Sequence, residues 1–177
     1  MALSIINYQL SIIPMQILTA AQIRQKTERM AIQILERNYG APALVLLGIN
    51  SNGMAFATRL YEAIALRAPH IALTLAQIRL NPAAPVAHPI TCNLSPAETE
   101  NKPVIIIDDV ANTGRTVFYA LRPLLTALCA KVEIAVLVDR KHKSFPAQPD
   151  YVGLSLATTL QENIAVRLSD DEGVYIN

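Results

Sequence analysis

A chain of 177 residues with 52% hydrophobic and 16% charged positions is long enough for one domain with a sizeable core. Its charge falls well below the roughly 25% of ordinary soluble domains, so much of it is expected to be buried or to face another subunit. Fifteen Lys and Arg against fourteen Asp and Glu leave no excess positive field, which argues against a polyanion as the main partner.

The first fourteen residues are apolar but carry Asn7, Tyr8, Gln9 and Pro14, with no Lys or Arg ahead of them. That is neither a secretory leader nor a span of membrane length, and a small strand, a packed tail or a true start at Met15 all fit it. Thr19 then precedes apolar positions Ile23, Met30, Ile34 and Leu35, with Arg24, Lys26, Glu28, Arg29, Gln33 and Glu36 between them. The pattern predicts an amphipathic helix with a threonine N-cap, ended at Asn38-Tyr39-Gly40. Ala43 to Leu47 reads as a strand, Gly48 to Gly53 as a polar turn, and Ala57, Leu60, Tyr61 and Ile64 as the buried side of a second helix. Strand, polar turn and helix start together make an anion site, although a plain βα turn has the same signature.

Ile71 to Leu75 reads as a short strand. From Gln77 to Lys102 the chain passes Pro82, Pro85, Pro89 and Pro96 on the way to Pro103, which sustains neither helix nor central strand and predicts a loop over the site or an edge excursion. Val104 to Ile107 is a buried-strand run that ends in Asp108 and Asp109, and Val110-Ala111-Asn112-Thr113-Gly114-Arg115-Thr116 follows. The two carboxylates offer acceptors for a vicinal diol and can draw in Mg²⁺ through water, with no side-chain metal cage implied. Gly114 allows close backbone approach to an anion, Thr113 and Thr116 offer hydroxyls, Arg115 offers a cationic fork, and the next helix starts with free N–H groups. Each piece alone is an ordinary cap or turn; in this order they suit a phosphorylated sugar. Val117, Leu121, Leu124, Leu125 and Leu128 then mark one apolar helix face, in which Pro123 should introduce a bend.

Glu133 to Val138 predicts another strand, with the basic run Asp139-Arg140-Lys141-His142-Lys143 at its end. Ile164 to Leu168 and Val174 to Ile176 read as edge strands around the acidic turn Ser169 to Gly173. The alternation predicts one α/β domain: a central parallel β-sheet flanked by helices over 15–177, with a small hood from about 77–102 and the C-terminal segment. Cys92 and Cys129 lack metal or redox spacing and are expected as reduced thiols in a cytoplasmic protein, with no membrane partner.

Residues 104–116 resemble the ribose-phosphate loop of the type I phosphoribosyltransferases. Ala135 to His142 with Pro146 and Pro149 to Gly153, the turn Gly48 to Gly53, and Gln16-Ile17-Leu18 through Asn38 are similar to the base strand and hood, the pyrophosphate loop and the first helix of one branch. That branch is the pyrimidine operon attenuator and uracil phosphoribosyltransferase family, and the similarity runs from about Met15 to Tyr175. The resemblance implies that Asp108 and Asp109 hold the ribose hydroxyls of phosphoribosyl pyrophosphate and that Ala111, Asn112, Thr113, Gly114, Arg115 and Thr116 hold its 5′-phosphate. Asn50, Ser51, Asn52 and Gly53 would take the pyrophosphate with Mg²⁺, and Val138, Asp139, Arg140 and Lys141 the base. Arg79, with Asp108 and Asp109, belongs to the catalytic set it implies.

Three departures stand out. The family's usual Thr-Arg-Gly is Ser51-Asn52-Gly53 here, and its Tyr-Arg-Asp-Asp is Ile78-Arg79-Leu80-Asn81. Asn112 stands where some purine-specific relatives carry a carboxylate that takes a proton from the base, which leans toward uracil. Two functions stay open: transfer of phosphoribosyl to uracil giving UMP, in a homodimer, and a catalytically weak nucleotide-sensing regulator of pyrimidine genes. RNA would be held by Arg24, Arg29, Lys141 and Lys143, although the near-neutral charge disfavours it.

Overall fold

The computed structural model describes residues 14–157 and 163–176; the extension expected over residues 1–14 lies outside them save for Pro14. Strands β2 (Ala43–Ile49), β3 (Ala72–Arg79), β5 (Pro103–Ala111), β6 (Lys131–Arg140) and β7 (Tyr151–Leu156), with the two-residue β4 (Thr91–Cys92), form one sheet in the order β4-β3-β2-β5-β6-β7. All pairs are parallel except β3 with β4. The central strands are apolar throughout because both faces are covered. Leu44, Leu46, Ile105 and Ile107 enter one core with Ile23, Met30 and Ile34 of α1 (Ala20–Arg37) and Phe56, Leu60 and Ile64 of α2 (Asn50–Arg67). Val45, Leu47, Val104 and Ile106 point the other way, toward Val117, Ala120, Leu124 and Ala147.

From β2 the chain adds β3 on one side, and from β5 it adds β6 and β7 on the other. The loops leaving the C-terminal ends of β2 and β5 therefore diverge and open a crevice, the place where such sheets receive ligands.

Thr19 caps α1 as expected, in a full capping box: its hydroxyl accepts from Gln22 N–H, and the Gln22 side chain accepts from Thr19 N–H. Thr19→Ala is expected to cost about 1 kcal/mol and to lower the melting temperature by roughly 2–4 °C in a domain of this size, read by thermal unfolding.

Several local expectations are corrected. Gln16 to Leu18 are not helical; they lie in β1 (Met15–Thr19), which pairs antiparallel with β9 (Gly173–Ile176), itself paired with β8 (Ile164–Arg167). This three-stranded sheet draws on both chain ends, whereas residues 77–102 run from the end of β3 through a hairpin to β4 and the short α3 (Pro96–Thr99) at the edge of the large sheet. Prolines lack the ladder donor, so they gather at this edge. Beyond residue 114 the expected single helix divides into α4 (Arg115–Ala120) and a 3-10 turn (Arg122–Thr126) that starts around Pro123. In consequence Leu124 is buried while Leu125 and Leu128 are 79% and 75% exposed. β6 continues two residues beyond Val138, so Asp139 and Arg140 belong to the strand.

Candidate functional site

Asp108 and Asp109 lie toward the C-terminal end of β5, beside the start of α2. Alternation of side chains along a strand separates them: Asp108 is 7% exposed, and Asp109 is more open. The backbone N–H of Asp109 donates to Asp108 Oδ1 at 3.0 Å. Burial, and then the negative charge of Asp109, push the Asp108 carboxyl well above the usual aspartate range. Across the crevice, Asn52 Nδ2 donates to Asp109 Oδ2 at 3.1 Å. The position at which the resembled family carries a cation is thus occupied by a neutral donor that orients the second carboxylate.

The close approach of α2 to β5 depends on Gly53. A Cβ there would stand 2.6 Å from the carbonyl oxygen of Ile107 and 3.2 Å from Asp108 Oδ1. Asn50, at φ 51°, turns the chain into α2, a conformation Asn tolerates better than most residues. Its Oδ1 accepts from Leu80 N–H at 3.0 Å, and its carbonyl accepts from Gln77 Nε2 at 2.7 Å. Gln77 Oε1 in turn accepts from Arg79 Nε at 2.8 Å. The turn after β2 is therefore fastened to the end of β3, and Arg79, Asn50 and Ser51 line one open cavity of about 600 Å³.

A neighbouring cavity of about 370 Å³ is lined by Asn50, Ser51 and Asn52 on one side and by Asp108, Asp109, Asn112 and Thr116 on the other. Pro82 and Ile164 complete its rim. Neither is visible from local motifs, since each arrives from a segment far along the chain. Next to it the loop from Val110 to Val117 encloses a cup of about 50 Å³. Gly114 makes that bend at φ 81°, a left-handed conformation that glycine adopts without Cβ strain. Arg115, expected to point its fork at an anion, gives one N–H to the carbonyl of Pro82 at 2.7 Å. With only six residues in α4, its dipole is short.

The base-binding residues expected at the end of β6 stand apart from this cavity. Val138 is fully buried in the core, Asp139 is ion-paired with Lys143, and Arg140 Nη1 donates to Asn112 Oδ1 at 3.3 Å. Lys141 is exposed. A larger cavity, about 620 Å³, lies between α1 and α2, where Arg59 pairs with Glu172 and Glu28 with Arg67. With those charges already neutralised and no backbone cup beside it, the strand-end crevice is the better candidate.

Among the described residues no group of three or more His, Cys, Asp or Glu could cage a metal ion. The Asp108–Asp109 pair still fits a Mg²⁺ that arrives on phosphate oxygens and keeps most of its water, the usual mode for this cation.

A six-stranded, mostly parallel sheet with paired acids and a glycine-bent loop at its switch point defines a class, and sequence comparison identifies it. Residues 15–172 match the model of the phosphoribosyl transferase domain, and the chain belongs to that family of phosphoribosyltransferases. Within it the chain groups with proteins named bifunctional protein PyrR. It is 37% identical to one from Halalkalibacterium halodurans over 89% of this chain and 92% of that protein. It is 38% identical to one from Chloroflexus aurantiacus over 90% and 91%. The fold is shared with a crystal structure of a hypoxanthine phosphoribosyltransferase from Staphylococcus aureus, at TM-score 0.71 and 22% identity, covering 88% of this chain and 84% of that one. No helix among the described residues is long and apolar enough to cross a membrane.

Proposed function

We propose that this chain transfers the 5-phosphoribosyl group from phosphoribosyl pyrophosphate to a pyrimidine base, uracil giving UMP, with release of pyrophosphate. The observation that carries the reading is the single cavity shared by Asp108, Asp109, Asn112 and Thr116 on one wall and Asn50, Ser51 and Asn52 on the other. Asp108 and Asp109 accept from the ribose hydroxyls. The loop Ala111 to Thr116 receives the 5′-phosphate, and Asn50 to Gly53 the pyrophosphate with its Mg²⁺, which supplies charge neutralisation when bound. Arg79, beside Asn50 and Ser51, meets the leaving group, and Arg140, which donates to Asn112 Oδ1, links the end of β6 to this cavity.

In the reaction the C1′–oxygen bond breaks with its electron pair going to pyrophosphate. A bond forms from C1′ to the base nitrogen, and that nitrogen releases its proton to water. Positive charge grows at C1′ and negative charge on the leaving oxygen, so the chain's work is placing the partners and holding the charge. Asn112 takes no proton at neutral pH, which suits a base needing little general-base help. Incubation with uracil, Mg²⁺ and phosphoribosyl pyrophosphate is expected to give UMP, and hypoxanthine is expected to be used at least tenfold less efficiently. A flat uracil trace overturns the assignment.

The relatives' names include the word bifunctional, and we read the second role as nucleotide-sensing regulation of pyrimidine genes. Of the four cations considered for RNA, Arg29 donates to the carbonyls of Val152 and Gly153 and Lys143 to loop carbonyls, while Arg24 and Lys141 are exposed. Such a surface predicts at most weak RNA retention with a shallow salt slope, checked by gel shift at two salt concentrations. The exposed Leu125 and Leu128 supply apolar surface for a homodimer, checked by sedimentation. The free thiols of Cys92 and Cys129 suit the cytoplasm.

A further inference from the structure

We infer that Lys143 is a positioning residue for the phosphate cup, holding its peptide groups from behind so that their N–H bonds face the ligand; this rests on the 5′-phosphate assignment above.

Lys143 lies past the end of β6 and does not line the cup. Its side chain is only 13% exposed, folded under the loop that follows β5. The ammonium is shared among four oxygens: the carbonyls of Ala111 at 3.3 Å, Asn112 at 3.0 Å and Arg140 at 2.8 Å, and the carboxylate of Asp139. Three N–H donors are thus fully committed, and the cation is neutralised by Asp139 on the same side. The carbonyl of the next residue, Thr113, is taken by the N–H groups of Ser144 and Phe145 at 3.0 and 3.1 Å.

Three successive carbonyls, those of Ala111, Asn112 and Thr113, therefore turn toward the segment that carries Lys143. In a planar trans peptide the N–H points opposite to the C=O of the same unit. Fixing those carbonyls fixes the N–H groups of Asn112, Thr113 and Gly114 on the other side, the side of the cup formed by Val110 to Val117. Successive N–H groups aimed into one concavity are what a phosphate oxygen set requires. Gly114 completes the arrangement: the space where its Cβ would stand lies 3.2 Å from the carbonyl oxygen of Ala147 and 3.4 Å from that of Phe145. The cup and its backing are packed as one unit.

Lys143→Met removes the donor while keeping most of the stem. Without it the loop carbonyls of Ala111 and Asn112, and that of Arg140, lose this donor, and the loop can turn its peptides away from the anion. Expected is a rise of at least tenfold in KM for phosphoribosyl pyrophosphate, with kcat at saturation and KM for uracil within about threefold of the parent. Lys143→Arg is expected to restore the KM to within about threefold. Lys102→Met, the same change at the opposite end of β5, is expected to alter neither. Ribose 5-phosphate binding by calorimetry reads the cup without turnover and is expected to weaken in parallel.

Unchanged KM for phosphoribosyl pyrophosphate in Lys143→Met, with UMP still formed, overturns the inference and leaves the transferase reading intact. A parent protein that makes no UMP, with ribose 5-phosphate binding weakened by Lys143→Met, overturns the transferase reading and supports the inference. Should Lys143→Met fail to fold, Lys143→Gln keeps one amide donor; affinity for ribose 5-phosphate falling in the order Lys, Arg, Gln supports the role, and equal affinities overturn it.

Discussion

Asp109→Ala is expected to lower kcat/KM for phosphoribosyl pyrophosphate by about 10²–10⁴-fold. A carboxylate accepting from two vicinal hydroxyls makes two charge-assisted hydrogen bonds, each contributing about 1.5–3 kcal/mol, and each 1.36 kcal/mol is a factor of ten. Asp109 is the accessible member of the pair, its Oδ2 already met by Asn52 across the crevice. Its loss also releases Asn52, whose amide then has no fixed partner at the pyrophosphate turn. Asn52→Ala alone should therefore cost less than Asp109→Ala, since it loosens the carboxylate without removing it. Steady-state kinetics measures the first effect, and calorimetry with ribose 5-phosphate separates binding from turnover. A second readout is electrostatic. The charge of Asp109 is the second cause, after burial, of the raised Asp108 carboxyl. In the variant Asp108 should ionise at lower pH, followed by NMR titration of its carboxyl carbon. Undiminished ribose 5-phosphate affinity would remove Asp109 from the sugar site.

The parts of this site that could be read in the sequence are those whose chemistry is local. Four β-favouring residues before Asp108 announce a strand buried on both faces, and β5 is that strand, with Val104 to Ile107 at 0% exposure. Thr19 and the spacing of Ile23, Met30 and Ile34 announce α1, because capping and the 3.6-residue period act within a few turns. Gly114 announces a bend, and its positive φ is there. What stayed hidden depends on partners distant in the chain. The pairing of Gln16 with Tyr175 leaves no trace in either segment alone, so β1 and the small sheet it joins are legible only in the fold. The apolar spacing through Leu128 matched a helix, but the missing N–H and ring of Pro123 favoured a 3-10 turn. In the sequence Lys143 is one more cation of the basic run Asp139 to Lys143, and only the fold shows that its amine is spent on the carbonyls of Ala111 and Asn112.

The departures from the family pattern acquire a common physical sense in the same frame. Asn52 contributes no charge at the pyrophosphate turn, and the residues after Arg79 are Leu80 and Asn81, of which Leu80 is buried and binds Asn50 through its backbone N–H. The turn after β2 is thus held through neutral donors: Gln77 to Asn50, Leu80 to Asn50, Asn52 to the Asp109 carboxylate. Under the proposed function, positive charge for the leaving group is then left to Arg79 and to Mg²⁺ carried by the substrate. Affinity for phosphoribosyl pyrophosphate should accordingly depend more steeply on Mg²⁺ concentration than in relatives with a loop arginine, which a Mg²⁺ titration of KM measures.

Asp108→Asn is expected to act in opposite directions on activity and on stability. One ionisable acceptor at the ribose becomes a neutral amide, which keeps an oxygen for the Asp109 N–H but loses the charge, a change worth about tenfold in kcat/KM when a charged hydrogen bond is reduced to a neutral one. Stability responds to the proton balance. The folded-state carboxyl of Asp108 is raised by burial first and by Asp109 second, whereas the unfolded chain titrates near the ordinary aspartate value of about 3.9. Over the interval between the two, the folded protein binds more protons than the unfolded one, so unfolding free energy falls as pH rises. The parent therefore keeps its full contribution from this group below about pH 4 and loses it progressively as pH climbs through the raised value. An amide at this position has no such interval. The variant should be close to the parent in acid and more stable by about 0.5–2 kcal/mol at neutral pH, the usual size of a gain made by relieving a strained functional site. Thermal unfolding at several pH values, read as the difference between the two proteins, tests this: a difference that grows with pH and then levels supports a carboxyl held out of water for the ribose. A variant less stable than the parent at neutral pH would mean that the folded chain favours the charge at Asp108, and the diol assignment would then rest on Asp109 alone.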